Sequence, residues 1–208
     1  SNSLSFYVMN GEASRWGSEV LNGFQIANTI NSIFFTPASA IGSAVAAMAA
    51  LATGAGKPER AARGVRLGLA AGAASSVVFA AMLIVWAPSF ALLFTSEAVP
   101  VARATEAMRA YSISIVGFSL FQIIAGAFSG IGRTDVPLVF AVLRIWLLRV
   151  PVAFALRLLF PGIGPYSIWI SMAVSNFGTA GAALVMYRGI RWDYRALGPL
   201  AGAKESPF

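Results

Sequence analysis

Apolar positions in this chain come in long runs, and short polar or glycine-rich breaks between them define the elements. Read this way, the sequence predicts five helices at about 20–53, 66–93, 102–132, 137–160 and 165–187, joined by connections at 54–65, 94–101, 133–136 and 161–164. Crossing a hydrocarbon core of roughly 30 Å takes about 20 apolar residues, and each run is long enough. The expected fold class is all-α: a polytopic integral membrane helix bundle of about five transmembrane helices. The first helix exceeds what a crossing requires, so it is expected to be tilted or bent, with Pro37 supplying the bend.

Polar residues inside these runs are patterned. Asn22, Gln25, Thr29, Ser32, Thr36, Ser39 and Ser43 follow one another at alternating spacings of three and four, which puts them on one helical stripe about 100° wide. Facing lipid, such groups would leave donors and acceptors unmet. Two readings stay open: the wall of a water-filled cavity, which suits the Asn22–Gln25–Thr29 end, and a stripe of interhelical hydrogen bonds, which suits Ser39 and Ser43. The third run repeats the pattern more weakly through Ser112, Ser119, Gln122, Gly126 and Ser129, with core packing an equal contender. Gly64, Gly68, Gly72 and Ser76 on the second run, and Ser167, Ser171, Ser175 and Thr179 on the fifth, form ladders of small residues that let backbones approach closely.

The fourth run carries two arginines, in "LRIWLLRVP" at 143–151. An arginine at the centre of a lipid-facing helix costs roughly 3 kcal/mol or more. Arg144 lies about 10 Å from Pro137 and is expected to snorkel to the headgroups, whereas Arg149 lies about 18 Å in, near mid-membrane. At 100° per residue the two point about 140° apart, which predicts different partners. No carboxylate falls in the body of a predicted helix, with Glu106 and Asp135 both near helix ends. Arg149 is therefore expected to face carbonyls, amides, water or a group from outside the chain. The carbonyl of Leu147, freed by Pro151, is one candidate acceptor. Arg149 reads as either a structural clamp or a substrate contact.

Composition fixes the class that the pattern suggests. Hydrophobic residues make up 58%, charged residues 11%, and mean hydropathy is +0.74, against about a quarter charged in soluble domains. With neither Cys nor His present, disulfides, His-ligated zinc and Ser-His or Cys-His triads are excluded. No catalytic residue and no metal site is assigned. The net charge of +7 would suit nucleic acid, but its placement suits membrane orientation better. Lys57, Arg60, Arg63, Arg66, Arg133, Arg188, Arg191, Arg195 and Lys204 fall on one side, and only Arg15, Arg103, Arg109 and Arg157 on the other. The richer side is expected to be cytoplasmic, together with the tail at 188–208. Residues 1–19 read as the end of a preceding span and an outer loop, with no signal peptide, so the chain is expected to be the C-terminal part of a longer protein. A complete protein inserted with its N-terminus outside is the alternative.

Several segments imitate chemistry. "GAGKPER" (54–60) resembles a phosphate loop, but Pro58 follows Lys57 where Ser or Thr is required. It is better explained as a helix end, a glycine turn and a helix opened by Pro58 and Glu59. "GIGRT" (130–134) and "GIGP" (162–165) are turns, and neither GxSxG nor HExxH occurs.

Taken together, "GAGKPERAAR" after a polar-striped helix, "SGIGRTDVP", and "LRIWLLRVPVAFAL" with its Trp-x-x-Arg-x-Pro core resemble, in order and spacing, the second half of multidrug and toxic compound extrusion (MATE) transporters. The resemblance spans residues 20–190. It implies that residues 20–187 form the C-terminal lobe of a two-lobe exporter in the cytoplasmic membrane of a prokaryote, with the N-terminal lobe, membrane lipid and a drug-like small molecule as partners and no nucleic acid. Exchange of cationic or amphipathic drugs for Na⁺ or H⁺ by alternating access is the implied activity, with no enzymatic reaction and no other cofactor. Asn22, Gln25, Thr29, Ser32, Gln122 and Arg149 would line the cavity, and Gly54, Gly56, Gly130 and Gly132 match the family's turn glycines. One branch of the family carries an acid in the helix equivalent to 111–132, where this chain has none, so the coupling-ion site is expected in the other lobe. A lipid-linked saccharide flippase of the same superfamily and a non-transporting membrane scaffold remain as alternatives. The scaffold predicts a dry stripe tied up in helix contacts.

Overall fold

A computed structural model of the chain describes residues 2–189. All its regular elements are helical: α1 (Asn2–Ser14), α2 (Ser18–Gly54), α3 (Pro58–Leu92), α4 (Ala98–Ser112), α5 (Ser114–Gly130), α6 (Asp135–Leu143), a π-helical turn (Arg144–Arg149), α7 (Val150–Leu159), a short 3₁₀ turn (Pro161–Ile163) and α8 (Tyr166–Arg188). Four spans are long and apolar enough to cross a membrane by themselves: α2, α3, the continuous Asp135–Leu159 and α8. The pair α4 and α5 makes a fifth, bent by 48° at its break. The expected all-α membrane bundle is the observed architecture. Of the predicted tail, Arg191, Arg195 and Lys204 lie outside the described residues.

The departures from expectation have local causes. The apolar run at 66–93 understates α3, which begins at Pro58 as the turn at 54–60 predicts, because proline suits a first helical turn and Glu59 complements the helix N-terminus. The third run breaks at Ile113, where Ser112 donates to the carbonyl of Arg109 (2.8 Å) and Ser114 to that of Tyr111 (2.7 Å). Such back-bonding hydroxyls bend helices. α2, by contrast, stays helical through Pro37. Pro88 leaves the carbonyl of Ile84 without its intrahelical donor, and Arg109 fills the vacancy with its Nε–H at 3.2 Å.

In lipid, helices associate through close packing more than through apolar burial, and here the closest approach is between α2 and α5. A Cβ on Gly126 would collide with the carbonyl oxygen of Gly42, and one on Gly42 would lie 3.1 Å from the carbonyl carbon of Gln122. The ladder on α3 faces the same junction, with Gly68 against Val45 and Gly72 against Ile123 and Ser119. Of the predicted turn glycines, Gly56 (φ 67°) and Gly132 (φ 83°) take the left-handed conformation that closes a helix. Gly54 and Gly130 are the last residues of α2 and α5, and Gly130 is constrained by its closeness to Ala46 and Ala49.

Apolar side chains divide into a cluster around Met9, Phe24, Leu83, Met108, Ile115 and Met172 and others nearer the opposite end, around Ile124, Phe128, Phe140, Val45 and Ile123. One ion pair involves residues far apart in sequence: Glu12, in the last turn of α1, is buried and accepts from Arg157 of α7 at 2.7 Å. The reading of residues 1–19 as span end and loop had no way to pair Glu12 with a residue so distant in sequence.

Two outcomes are expected. Gly126→Ala should destabilise the protein by about 1–3 kcal/mol, since the clash is with backbone, and should lower its melting temperature in detergent, whereas Gly181→Ala, which meets nothing within 4 Å, should not. Glu12→Gln should cost about 1–2 kcal/mol, discounted for the partial exposure of Arg157. In a double-mutant cycle on melting temperature, Glu12→Gln with Arg157→Gln should lose less than the two single losses added together.

Candidate substrate-cavity face

The polar stripe of α2 stands on the open side of the bundle. Asn22, Gln25, Thr29, Ser32, Thr36 and Ser43 are exposed and Ser39 is half-buried. The hydroxyls are nonetheless satisfied. Thr29 donates to Gln25, Ser32 to Thr29, Thr36 to Ser32, Ser39 to Phe35 and Ser43 to Ser39, each to a carbonyl of the same helix at 2.7–3.4 Å. Among the described residues a single hydrogen bond links the stripe to another helix: Gln122 of α5 donates its Nε2–H to the Ser39 hydroxyl at 3.2 Å. The stripe hydroxyls therefore do not hold helices together, apart from that one.

Three recesses follow the stripe. Asn22, Gln25 and Thr29 line the first, of about 360 Å³, together with Thr95 and Glu97. Ser32, Thr36 and Ser39 line the second, of about 310 Å³, with Phe35, Tyr111, Phe118, Arg144 and Arg149. The third, of about 280 Å³, lies between Ser39 and Ser43 of α2 and Gln122, Gly126 and Ser129 of α5. The six residues expected to line a cavity are thus spread over all three: Asn22, Gln25 and Thr29 in the first, Ser32 and Arg149 in the second, Gln122 in the third.

The second recess overturns one expectation. Arg144 does not reach toward headgroups; it is 7% exposed, its guanidinium lies 5.4 Å from the ring centre of Phe118 and 5.2 Å from that of Phe121, and it shares the recess with Arg149. The cause is the π-helical turn. The amide of Val150 donates to the carbonyl of Ile145, five residues back, and i→i+5 bonding stacks residues five apart as an α-helix stacks residues four apart. Pro151 supplies a reason for the wider turn, because its ring lacks an N–H and crowds the carbonyl of Leu147. Arg144 and Arg149 come onto one side, while Trp146 and Leu147 between them stay exposed on the other.

Arg149 is also 7% exposed. Its Nε–H donates to the Ser175 hydroxyl and its Nη2–H to the Asn176 side-chain carbonyl, both at 3.4 Å, so the observed acceptors are two α8 side chains. The ladder on α8 gains a second use: Ser175 donates its own proton to Met172 and so offers Arg149 only lone pairs. Gly117 lets α5 approach the backbone of Asn176, where a Cβ would lie 3.1 Å from its carbonyl carbon. Arg144 has no such support, its Nε and Nη1 meeting no partner among the described residues. Asn31 is likewise buried with both side-chain amide atoms unpaired. Sequence reasoning missed Arg144, Tyr111, Ser175 and Asn176 as members of this site. Pro151, two residues after Arg149, was the available signal of irregular winding.

Comparison with known proteins places this geometry. A family model described as MatE matches residues 1–155. A probable multidrug resistance protein NorM of Thermotoga maritima is 23% identical over 181 residues, covering 87% of this chain and 39% of that protein. Another, of Rhodopseudomonas palustris, is 32% identical over 180 residues, covering 81% and 36%. The chain spans somewhat over a third of the length of these relatives. A solved MOP superfamily transporter from Pyrococcus furiosus superimposes with a TM-score of 0.85 at 20% identity, covering 94% of this chain and 43% of its own. The family match covers most of the chain, and the chain belongs to the MatE, or multidrug and toxic compound extrusion, family.

Proposed function

We propose that this chain acts as the C-terminal lobe of a secondary active multidrug exporter, with the α2 stripe as its half of a water-filled cavity facing an N-terminal lobe. Amphipathic drugs, cationic ones among them, would cross in exchange for Na⁺ or H⁺ by alternating access. The coupling ion would bind in the other lobe, and the end of α8 would lie on the cytoplasmic side of a prokaryotic inner membrane, as the arrangement of basic residues favours. Family membership and the curated relatives named for multidrug resistance support this reading.

The observation that carries it is the state of the stripe. Its hydroxyls are bonded within α2 and still exposed, so the face tolerates lost contacts and suits water, unlike an interhelical seam. A scaffold would use those hydroxyls between helices. Glu97 beside Asn22 and Gln25 adds an acceptor for a cationic group at one end of the face.

The chain has no cysteine of its own, so with any cysteine outside it replaced, single cysteines report directly. In the membrane-embedded full-length protein, Gln25→Cys and Thr29→Cys should react with a membrane-impermeant maleimide, and a transported dye should slow both. Ala27→Cys, which is buried against the rest of the bundle, should stay unreactive. Unreactive cysteines along the whole stripe would favour the scaffold.

A further inference from the structure

The second recess holds two positive charges and no negative one. Arg144 and Arg149 are each nine-tenths buried and both line it. The four ion pairs among the described residues use Glu12, Glu106 and Asp135, and none involves either arginine. Two like charges line one recess, an arrangement that a counter-charge between them stabilises. Arg149 has only two long, neutral hydrogen bonds, and the Nε and Nη1 nitrogens of Arg144 are buried with no hydrogen-bond partner among the described residues. A buried donor without an acceptor is destabilising, and more so when charged.

We propose that this recess binds the anionic group of a transported molecule, a carboxylate or a phosphate, between Arg144 and Arg149. One oxyanion between the guanidiniums turns their repulsion into two attractions. The planar N–H fork of arginine matches carboxylate and phosphate oxygens in pairs, which an ammonium cannot do. Tyr111 lines the same recess, and Phe35 packs tilted against Phe118 with ring centres 4.4 Å apart, which gives an aromatic surface for the body attached to the anion. The ligand class is an amphipathic organic anion, or a zwitterion whose cationic end reaches Glu97. The inference rests on the cavity reading above only in taking this face as the path of transport.

The test uses three probes with one ring system: 1-naphthoate, 1-naphthyl phosphate and 1-naphthylmethylammonium. Each is titrated calorimetrically into the full-length transporter in nanodiscs of zwitterionic lipid. At least one anion should bind saturably, and the tighter of the two identifies carboxylate or phosphate as the natural group. Arg144→Gln and Arg149→Gln should each weaken the anion about tenfold or more, with Arg144→Lys between them and wild type because it keeps the charge but loses the fork. Ammonium binding, where it occurs, should be unaffected by Arg144→Gln. No binding of either anion to the unmodified protein would overturn the assignment without reliance on any variant, and would point to a carboxylate of the other lobe as the arginines' partner. An unchanged anion affinity in Arg144→Gln would overturn it too. If anion binding fails while stripe cysteines remain reactive and dye-protected, only the anion site falls and the exporter reading stands.

Discussion

Two guanidiniums have to be housed in the middle of a membrane bundle, where lipid offers them no solvation. Much of the surrounding structure follows from that constraint. The π-helical turn rotates Arg144 inward alongside Arg149. Gly117 brings α5 close to α8 at Asn176, and the α8 hydroxyls are oriented so that Ser175 presents an acceptor to Arg149. Phe118 and Phe121 lend their ring faces to Arg144, an attraction that strengthens when desolvated. This polar layer separates the apolar clusters at the two ends of the bundle.

α2 divides its work around its circumference. One side is stripped to glycine where Gly42 meets Gly126, so that the backbones of α2 and α5 touch. The stripe beside it, whose Ser39 and Ser43 share a recess with Gly42, is polar yet largely self-contained, with its hydroxyls returned to carbonyls one turn back. A face built this way can lose or gain neighbours at little cost, as alternating access requires of a surface between lobes. The two sides together let one helix serve as both the main packing element and the exposed wall of the candidate path.

The elements that were legible from sequence are those whose signal is local. Five apolar runs, a stripe at spacings of three and four, the ladders of small residues and the glycines at 56 and 132 need no tertiary information. What stayed hidden depends on departure from ideal winding or on distant partners. A fixed 100° per residue gave Arg144 and Arg149 different partners and depth sent Arg144 to the headgroups, whereas the i→i+5 bond from Val150 to Ile145 brings both to one recess. The break at Ile113 leaves the apolar run unchanged and is flanked by two serine hydroxyls bonded back to carbonyls three residues earlier. The pairing of Glu12 with Arg157 joins residues 145 positions apart, and the capping of Ile84 by Arg109 required knowing which helix lies beside Pro88.

The placement of both arginines on one inward side can be tested most directly by spin-label accessibility. Single nitroxides at positions 144, 147 and 149 in the membrane-embedded protein are relaxed by oxygen, which concentrates in lipid, and by a nickel chelate, which stays in water. The account predicts weak relaxation by oxygen at 144 and 149 and strong relaxation at 147, where Leu147 is 62% exposed. Oxygen reaching 144 as freely as 147 would mean ordinary α-helical winding, with the two arginines facing apart and no shared site between them.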